Sequence, residues 1–251
     1  MTHWYRYLIY SLCMLLGGGY GAWGQQADTS CAGLVKDYVR RMQEYGRPKG
    51  KEVYFMDMQV NTAYNPEYAK TDSDVRVRMY LSADKMQYES NYVSLYQDNN
   101  DAITIVHPQK LIVWNQGGAL PERKESYATL LSISDTLFTR SKVASCRNME
   151  EDGRQFREVV LQPDAGYRRS RRVQQVVYHY DISEKRVYRS TIYYTEEASR
   201  RRETTTYHRL SFNQSAMPFS RAERVILQAN GKPVGKYSGY ELIDNRKLSR
   251  E

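Results

Sequence analysis

The sequence predicts a mainly β protein with a few α-helices, built as a single curved antiparallel sheet or incomplete barrel with a helical lid. The stretch from Val173 to Phe212 holds three runs of β-branched and aromatic residues separated by short polar breaks, which is typical of an antiparallel meander. Asp74 to Ser82 alternates apolar and polar side chains with period two, as a half-buried strand does. No linker rich in Pro, Gly and Ser divides the chain, and a sheet of so many strands must curl or close.

The first 24 residues have the features of a secretory signal. Residues 2–7 contain one arginine and no acid, residues 8–16 form a short apolar core, and Ala22 and Gly24 occupy the two positions that a signal peptidase reads. The apolar run is too short to span a bilayer, and no lipobox surrounds Cys31. We therefore predict a signal peptide over residues 1–24, cleaved near Gly24. The mature chain, residues 25–251, is expected to be one soluble β domain in the periplasm.

The predicted order begins with a helix. Apolar residues recur every three or four positions over Ala32–Tyr45, and Gly46 and Pro48 end the pattern. A run of strands follows, separated by polar turns. These strands are Glu52–Asn61, Asp74–Ser82, Lys85–Ser90, Tyr92–Gln97, Ala102–Val106 and Lys110–Trp114.

The periodicity then changes to about 3.6 residues over Glu122–Thr139, which predicts one amphipathic helix inserted between strands. Beyond it we predict strands at Lys142–Asn148 and Gln155–Leu161, a loop at Pro163–Gly166 and the meander. A final pair of strands, Arg224–Ala229 and Val234–Leu242, is predicted to form a hairpin through Asn230-Gly231.

The net charge of +8 comes partly from three arginine clusters. They are Arg168-Arg169, Arg171-Arg172 and Arg200-Arg201-Arg202. They could attract an anionic lipid or nucleic acid, or they could be solvated loops and strand edges that oppose aggregation. We expect no nucleic-acid partner.

Removal of the signal leaves two cysteines, Cys31 and Cys146. In an oxidising compartment such a pair favours a disulfide bond. The alternative is two free, buried thiols.

The chain shows little sign of catalysis or metal binding. Outside the signal its only histidines are His107, His179 and His208, and they lack HxH or HExxH spacing. The sequence contains neither a GxSxG elbow nor a P-loop. We predict that the protein is not an enzyme and needs no metal or other cofactor.

The order of elements resembles the periplasmic lipoprotein-carrier (LolA/LolB-like) family. The resemblance rests on five features of order and texture rather than on one short motif. They are the N-terminal helix Leu34–Tyr45, the strand pair "ITIVHPQKLIVW", the inserted helix Ser126–Phe138, the strand ending at Val159–Pro163, and the final segment Tyr237–Ile243.

The resemblance implies a carrier that holds acyl chains of a lipid or lipoprotein in an apolar half-barrel. It also makes an envelope or membrane-associated protein a candidate partner. An arginine locks the lid in that family, and Arg76 and Arg78 are the candidates here. Methionines would give the cavity wall a deformable lining, and the inserted helix would cover it. The candidate lipid-binding residues are Met56, Met58, Val77, Met79, Leu81, Ile103, Ile105, Leu130, Leu131 and Phe138.

Two alternatives remain open from the residues alone. An alternating Val/Met strand is more often ordinary packed core than a ligand wall. The protein could also be a non-enzymatic interaction module of a cell-envelope assembly that uses a face rich in Tyr and Arg, because these residues are enriched at protein interfaces. The sequence does not identify the lipid, the partners or the oligomeric state.

Overall fold

A computed structural model describes residues 33–37, 48–118, 137, 139–214 and 216–246. Their strands form one curved, unclosed sheet, in the order β12-β6-β5-β4-β3-β2-β1-β11-β10-β9-β8-β7. The sheet is antiparallel apart from β12, which runs parallel to β6. The strands are β1 Tyr54–Tyr64, β2 Ser73–Leu81, β3 Met86–Ser90, β4 Val93–Gln97, β5 Asp101–Val106, β6 Leu111–Gln116, β7 Ser141–Glu151, β8 Arg154–Pro163, β9 Val173–Asp181, β10 Arg186–Tyr194, β11 Arg200–Ser211 and β12 Glu241–Asp244. The predicted mainly β fold with one curved antiparallel sheet is confirmed, and the helical lid stays a prediction.

The chain divides into two compact units. The first comprises Met1–Gly46, Gln59–Asp74 and Ser126–His208. The second comprises Arg47–Met58, Val75–Glu125 and Arg209–Glu251.

The first unit contains the meander, and its register separates an apolar face from a polar one. Tyr178 of β9 lies directly opposite Val159 of β8 and Ser190 of β10. All three are buried, so this face belongs to the core. The next residue along β9, His179, lies opposite Glu158 and Arg189 on the other face. Strand alternation thus places rings on one side and charges on the other.

The second unit packs its C-terminal segment against the sheet. Ile103, Ile105, Ile112 and Trp114 of β5 and β6 form a hydrophobic cluster with Tyr96 and with three residues of that segment. Those three are Ala222, Ile226 and Tyr237. Ile103, Ile105 and Ala222 are fully buried. This cluster is the core of the second unit.

Two predicted features of the second half are wrong. The first is the loop at Pro163–Gly166, because helix α1 spans Ala165–Arg171. The Asp164 carboxylate caps it by accepting a hydrogen bond from the Tyr167 amide at 2.6 Å, which satisfies one of the free amides of the first turn. So short a helix leaves too little periodic pattern to be recognised in the sequence.

The second error is the C-terminal hairpin of two strands. The segment instead contains helix α2 Glu223–Ile226, a 3-10 turn at Gly235–Tyr237 and the parallel strand β12. Asn230-Gly231 still forms a turn, with only an isolated bridge between Leu227 and Pro233. The two predicted strands do not pair with each other, because Ile226 and Tyr237 bury their side chains against β5 and β6 instead.

Several predictions fall largely outside the described residues. The signal peptide lies there entirely. The predicted N-terminal helix is helical over residues 33–37, and Leu137 and Thr139 are helical within the predicted inserted helix. Cys146 is disulfide-bonded, and its pairing with Cys31 stays a prediction.

Candidate functional site

The two sides of β1 and β2 are distinguished by side-chain contacts across the strands. Arg76 donates two hydrogen bonds to the Asp57 carboxylate, at 2.9 and 2.7 Å. The rings of Phe55 and Tyr80 lie 4.6 Å apart. Asp57 and Phe55 therefore share one face with Arg76 and Tyr80. Alternate residues of a strand point to opposite faces, so the methionines between them point to the other side.

That other side is continuous and apolar in the second unit. Met79 of β2 lies opposite Tyr88 of β3, and Leu81 lies opposite Met86. Residues paired in this way project to the same face. We call this set the methionine face, and all its members are buried. It consists of Met56, Met58, Val77, Met79, Leu81, Met86 and Tyr88.

The structure brings together five of the ten predicted lipid-binding residues and separates two from them. Ile103 lies opposite Tyr96, Tyr96 lies opposite Gln87, and Gln87 lies opposite Tyr80. Ile103, and with it Ile105, therefore projects to the Tyr80 side, where the C-terminal segment packs on both. These two isoleucines therefore do not share a face with the other five, and lipid binding by any of the ten stays a prediction. Leu130, Leu131 and Phe138 lie outside the described residues.

The predicted lid-locking arginines also project away from the methionine face. Arg76 is paired with Asp57, and Arg78 lies opposite Glu89 on the Tyr80 side. Neither side chain can hold a cover against the methionine face from that position.

Polar side chains also stand at the methionine face, and neither Gln97 nor Tyr88 was assigned to the site from the sequence. Gln97 is 1% exposed and lies opposite Met86 and Ala102. Its Nε2 donates to the Gly118 carbonyl at 3.1 Å. Burial raises the pKa of Tyr88 to about 12, so its phenol is neutral. The alternation in β3 was visible in the sequence, and it is the signal that would have added Met86 and Tyr88 to the site.

The opposite side of the second unit holds a serine–histidine contact. Ser94 Oγ lies 2.8 Å from His107 Nε2, and the Tyr240 hydroxyl lies 3.3 Å from His107 Nδ1. Burial lowers the pKa of His107, and Lys236 lowers it further. The three side chains Ser94, His107 and Tyr240 are arranged like a nucleophile, a base and an orienting group. However, Ser94 is only 4% exposed, so the contact serves to tie the C-terminal segment to β4 and β5.

The polar face of the first unit carries a buried histidine, His179. His179 Nε2 lies 3.3 Å from Glu158, and Arg189 pairs with Glu151 at 2.6 Å. Burial lowers the pKa of His179, and the nearby Arg189 charge adds to this effect. Among the described residues no group of three or more His, Cys, Asp or Glu could hold a metal ion.

Three tyrosines of the meander are buried and do not share an exposed face with its arginines. Tyr178, Tyr180 and Tyr207 are buried in the core of the first unit. Arg201 and Arg202, at the start of β11, are exposed. No described helix is long and apolar enough to cross a membrane.

No family model and no curated protein sequence matches the chain. Solved structures do match, and the LolA-like resemblance is found again among them. The Mycobacterium tuberculosis lipoprotein LppX is 12% identical over 73% of this chain and 96% of its own, with a TM-score of 0.40. A LolA superfamily protein from Nitrosomonas europaea is 8% identical, over 80% and 98%, with a TM-score of 0.28. The Pseudomonas aeruginosa MucA/MucB complex matches at 11% identity over 80% and 63%, with a TM-score of 0.38. The likeness is distant and concerns the fold; it assigns no ligand.

Proposed function

We propose that this protein is an exported periplasmic carrier that holds acyl chains of a lipid or lipoprotein against the methionine face. The observation behind the proposal is the composition of that face. Seven neighbouring side chains on three strands present thioether, aliphatic and aromatic groups, without a charge among them. An acyl chain needs such an apolar surface and little else.

The free energy of such binding would come from the chain rather than from a specific polar contact. Each methylene buried contributes about 0.8 kcal/mol. Three of the five positions on the first two strands are methionines, Met56, Met58 and Met79. Methionine side chains have three rotatable bonds and adapt to irregular shapes, which suits a guest without fixed conformation.

The proposal also explains why polar groups at this face are few and neutral. The Tyr88 phenol keeps its proton because burial raises its pKa. The Gln97 amide carries no charge. A charged group here would have to be desolvated by every acyl chain that entered, at a cost of several kcal/mol.

Lipid co-purification tests the proposal directly. The mature chain, produced by export in a bacterial host, is measured by native mass spectrometry and then titrated with a fluorescent fatty acid. We expect an additional mass that organic extraction identifies as lipid, and saturable uptake of the probe after delipidation. A clean apo mass together with no uptake would leave the methionine face as ordinary core and refute the carrier function.

A further inference from the structure

A cluster of arginines gathers at one end of the sheet in the first unit. Four follow one another closely along the end of α1 and into β9, and two stand at the start of β11. We call them the arginine patch: Arg168, Arg169, Arg171, Arg172, Arg201 and Arg202. Five of these side chains are exposed, and Arg168 is half-buried.

Two hydrogen bonds of Arg172 hold the two halves of the patch together. The Arg172 carbonyl accepts a hydrogen bond from the Thr195 amide at 2.8 Å, and Arg172 Nη1 donates to the Glu197 carbonyl at 2.9 Å. Thr195 and Glu197 belong to the turn between β10 and β11. The end of α1 is therefore fixed beside the turn that leads into Arg201 and Arg202.

Most of the guanidinium groups have no acceptor within the described part of the protein. Elsewhere in this unit arginines are paired: Arg140 with Asp164, Arg147 with Glu158, and Arg189 with Glu151. The side chains of Arg168, Arg169, Arg201 and Arg202 make no such ion pair with a described residue. Six arginines outnumber the three exposed carboxylates of these segments, Asp164, Glu196 and Glu197.

An exposed aromatic ring adjoins the patch. Tyr193 of β10 lies directly opposite Arg202 of β11, and it is 37% exposed. Tyrosine has an apolar ring and a polar tip, and it is enriched at the boundary between lipid headgroups and acyl chains. Guanidinium groups bind phosphate oxygens in a bidentate way.

We propose that the arginine patch is a docking surface for a bilayer rich in anionic phospholipids. The unpaired guanidiniums bind headgroup phosphates, and Tyr193 lies at the headgroup boundary. A bilayer is favoured over nucleic acid because the sequence predicts export. The proposal does not depend on whether the methionine face holds an acyl chain.

Vesicle sedimentation tests this inference with the mature chain. Vesicles of phosphatidylcholine with about one third phosphatidylglycerol should bind the protein, and pure phosphatidylcholine should not. Arg169→Gln/Arg171→Gln should weaken binding about fivefold for each arginine removed. The matched control, Arg221→Gln/Arg224→Gln, removes the same charge from exposed positions in the second unit and should bind like the wild type. Binding should disappear near 1 M salt, where the Debye length is about 3 Å.

A second variant keeps the test independent of helix α1. Arg202→Gln lies on β11 beside Tyr193 and should weaken vesicle binding about fivefold, with the melting temperature unchanged. Equal loss in the control pair would show that only net charge matters and would overturn a localised surface. Equal binding to neutral vesicles would overturn it too. So would binding to duplex DNA or polyglutamate with none to anionic vesicles, because the partner would then be a macromolecule.

Discussion

Met79→Gln separates a ligand wall from a packed core. The two side chains have similar length, so the change places an amide on the methionine face without a large change in volume. Met79 is 2% exposed. Burying an amide without a hydrogen-bond partner costs about 1–3 kcal/mol in proteins. If an acyl chain contacts residue 79, that cost falls on the bound state, and fatty-acid affinity should drop by roughly 5- to 150-fold.

The same change has a different signature if residue 79 is ordinary core. The cost then falls on folding, and the free energy of unfolding drops by about 1–3 kcal/mol with no ligand present. Urea denaturation of the delipidated protein measures the stability, and a fluorescent fatty-acid titration measures the affinity. A wall residue changes the affinity more than the stability, because water can hydrate the amide when the ligand is absent.

The matched control for Met79 is Ile103→Val. Ile103 is fully buried but projects to the opposite face. Losing one methyl group there should lower stability by about 0.5–1.5 kcal/mol and leave fatty-acid affinity unchanged. If folded Met79→Gln bound the probe as tightly as the wild type, or if Ile103→Val weakened binding equally, our assignment of the faces to their roles would be wrong.

Three further predictions concern stability. Asp98→Ala should lower the free energy of unfolding by about 2–6 kcal/mol, measured by urea denaturation. The buried amides of Asp101 and Ala222 lose their hydrogen-bond acceptor, and each loss costs about 1–3 kcal/mol. The lowered pKa of His179 means that the unfolded chain binds a proton at this histidine more readily than the folded chain does. The contribution of His179 to stability is therefore complete above pH 6.5 and is lost as pH falls through the folded pKa. His179→Gln should flatten the decline in urea midpoint as pH falls below about 6.5. Reducing the disulfide at Cys146 should lower stability by roughly 4–5 kcal/mol if it closes the long loop to Cys31, measured by urea denaturation with and without reductant.

Each of these predictions has a control and an outcome that would contradict it. Asp98→Asn keeps one acceptor oxygen, so it should fall between the wild type and Asp98→Ala; equal stability of all three would contradict the network. For His179, the exposed His208 is the comparison, and an unchanged pH slope in His179→Gln would contradict the direction of the pKa shift. Thiol titration of the unfolded, unreduced mature protein should find no free cysteine, and two free thiols would rule the bridge out.

Much of the strand order followed from local pattern. The alternation over Asp74–Ser82 became β2, and the three runs between Val173 and Phe212 became β9, β10 and β11. The C-terminal prediction failed, although Asn230-Gly231 does form a turn. A turn signal says that the chain reverses, but it does not say whether the flanking residues pair with each other or with a distant surface. Ile226 and Tyr237 are packed on β5 and β6, more than a hundred residues away in sequence.

In the candidate site, too, the local sequence pattern decided some features and contacts between distant segments decided others. Periodicity marked Met79 and Ile103 alike as inward-facing residues of strands, and both are buried. Alternation within one strand is a local property, because successive side chains must point to opposite sides of the backbone. It therefore required no knowledge of the fold. Which side of β2 corresponds to which side of β5 depends on the register of every pair between them, and a shift of one residue exchanges the two faces. That register is set by hydrogen bonds and packing between distant segments, so only the assembled sheet could place the two residues on opposite faces.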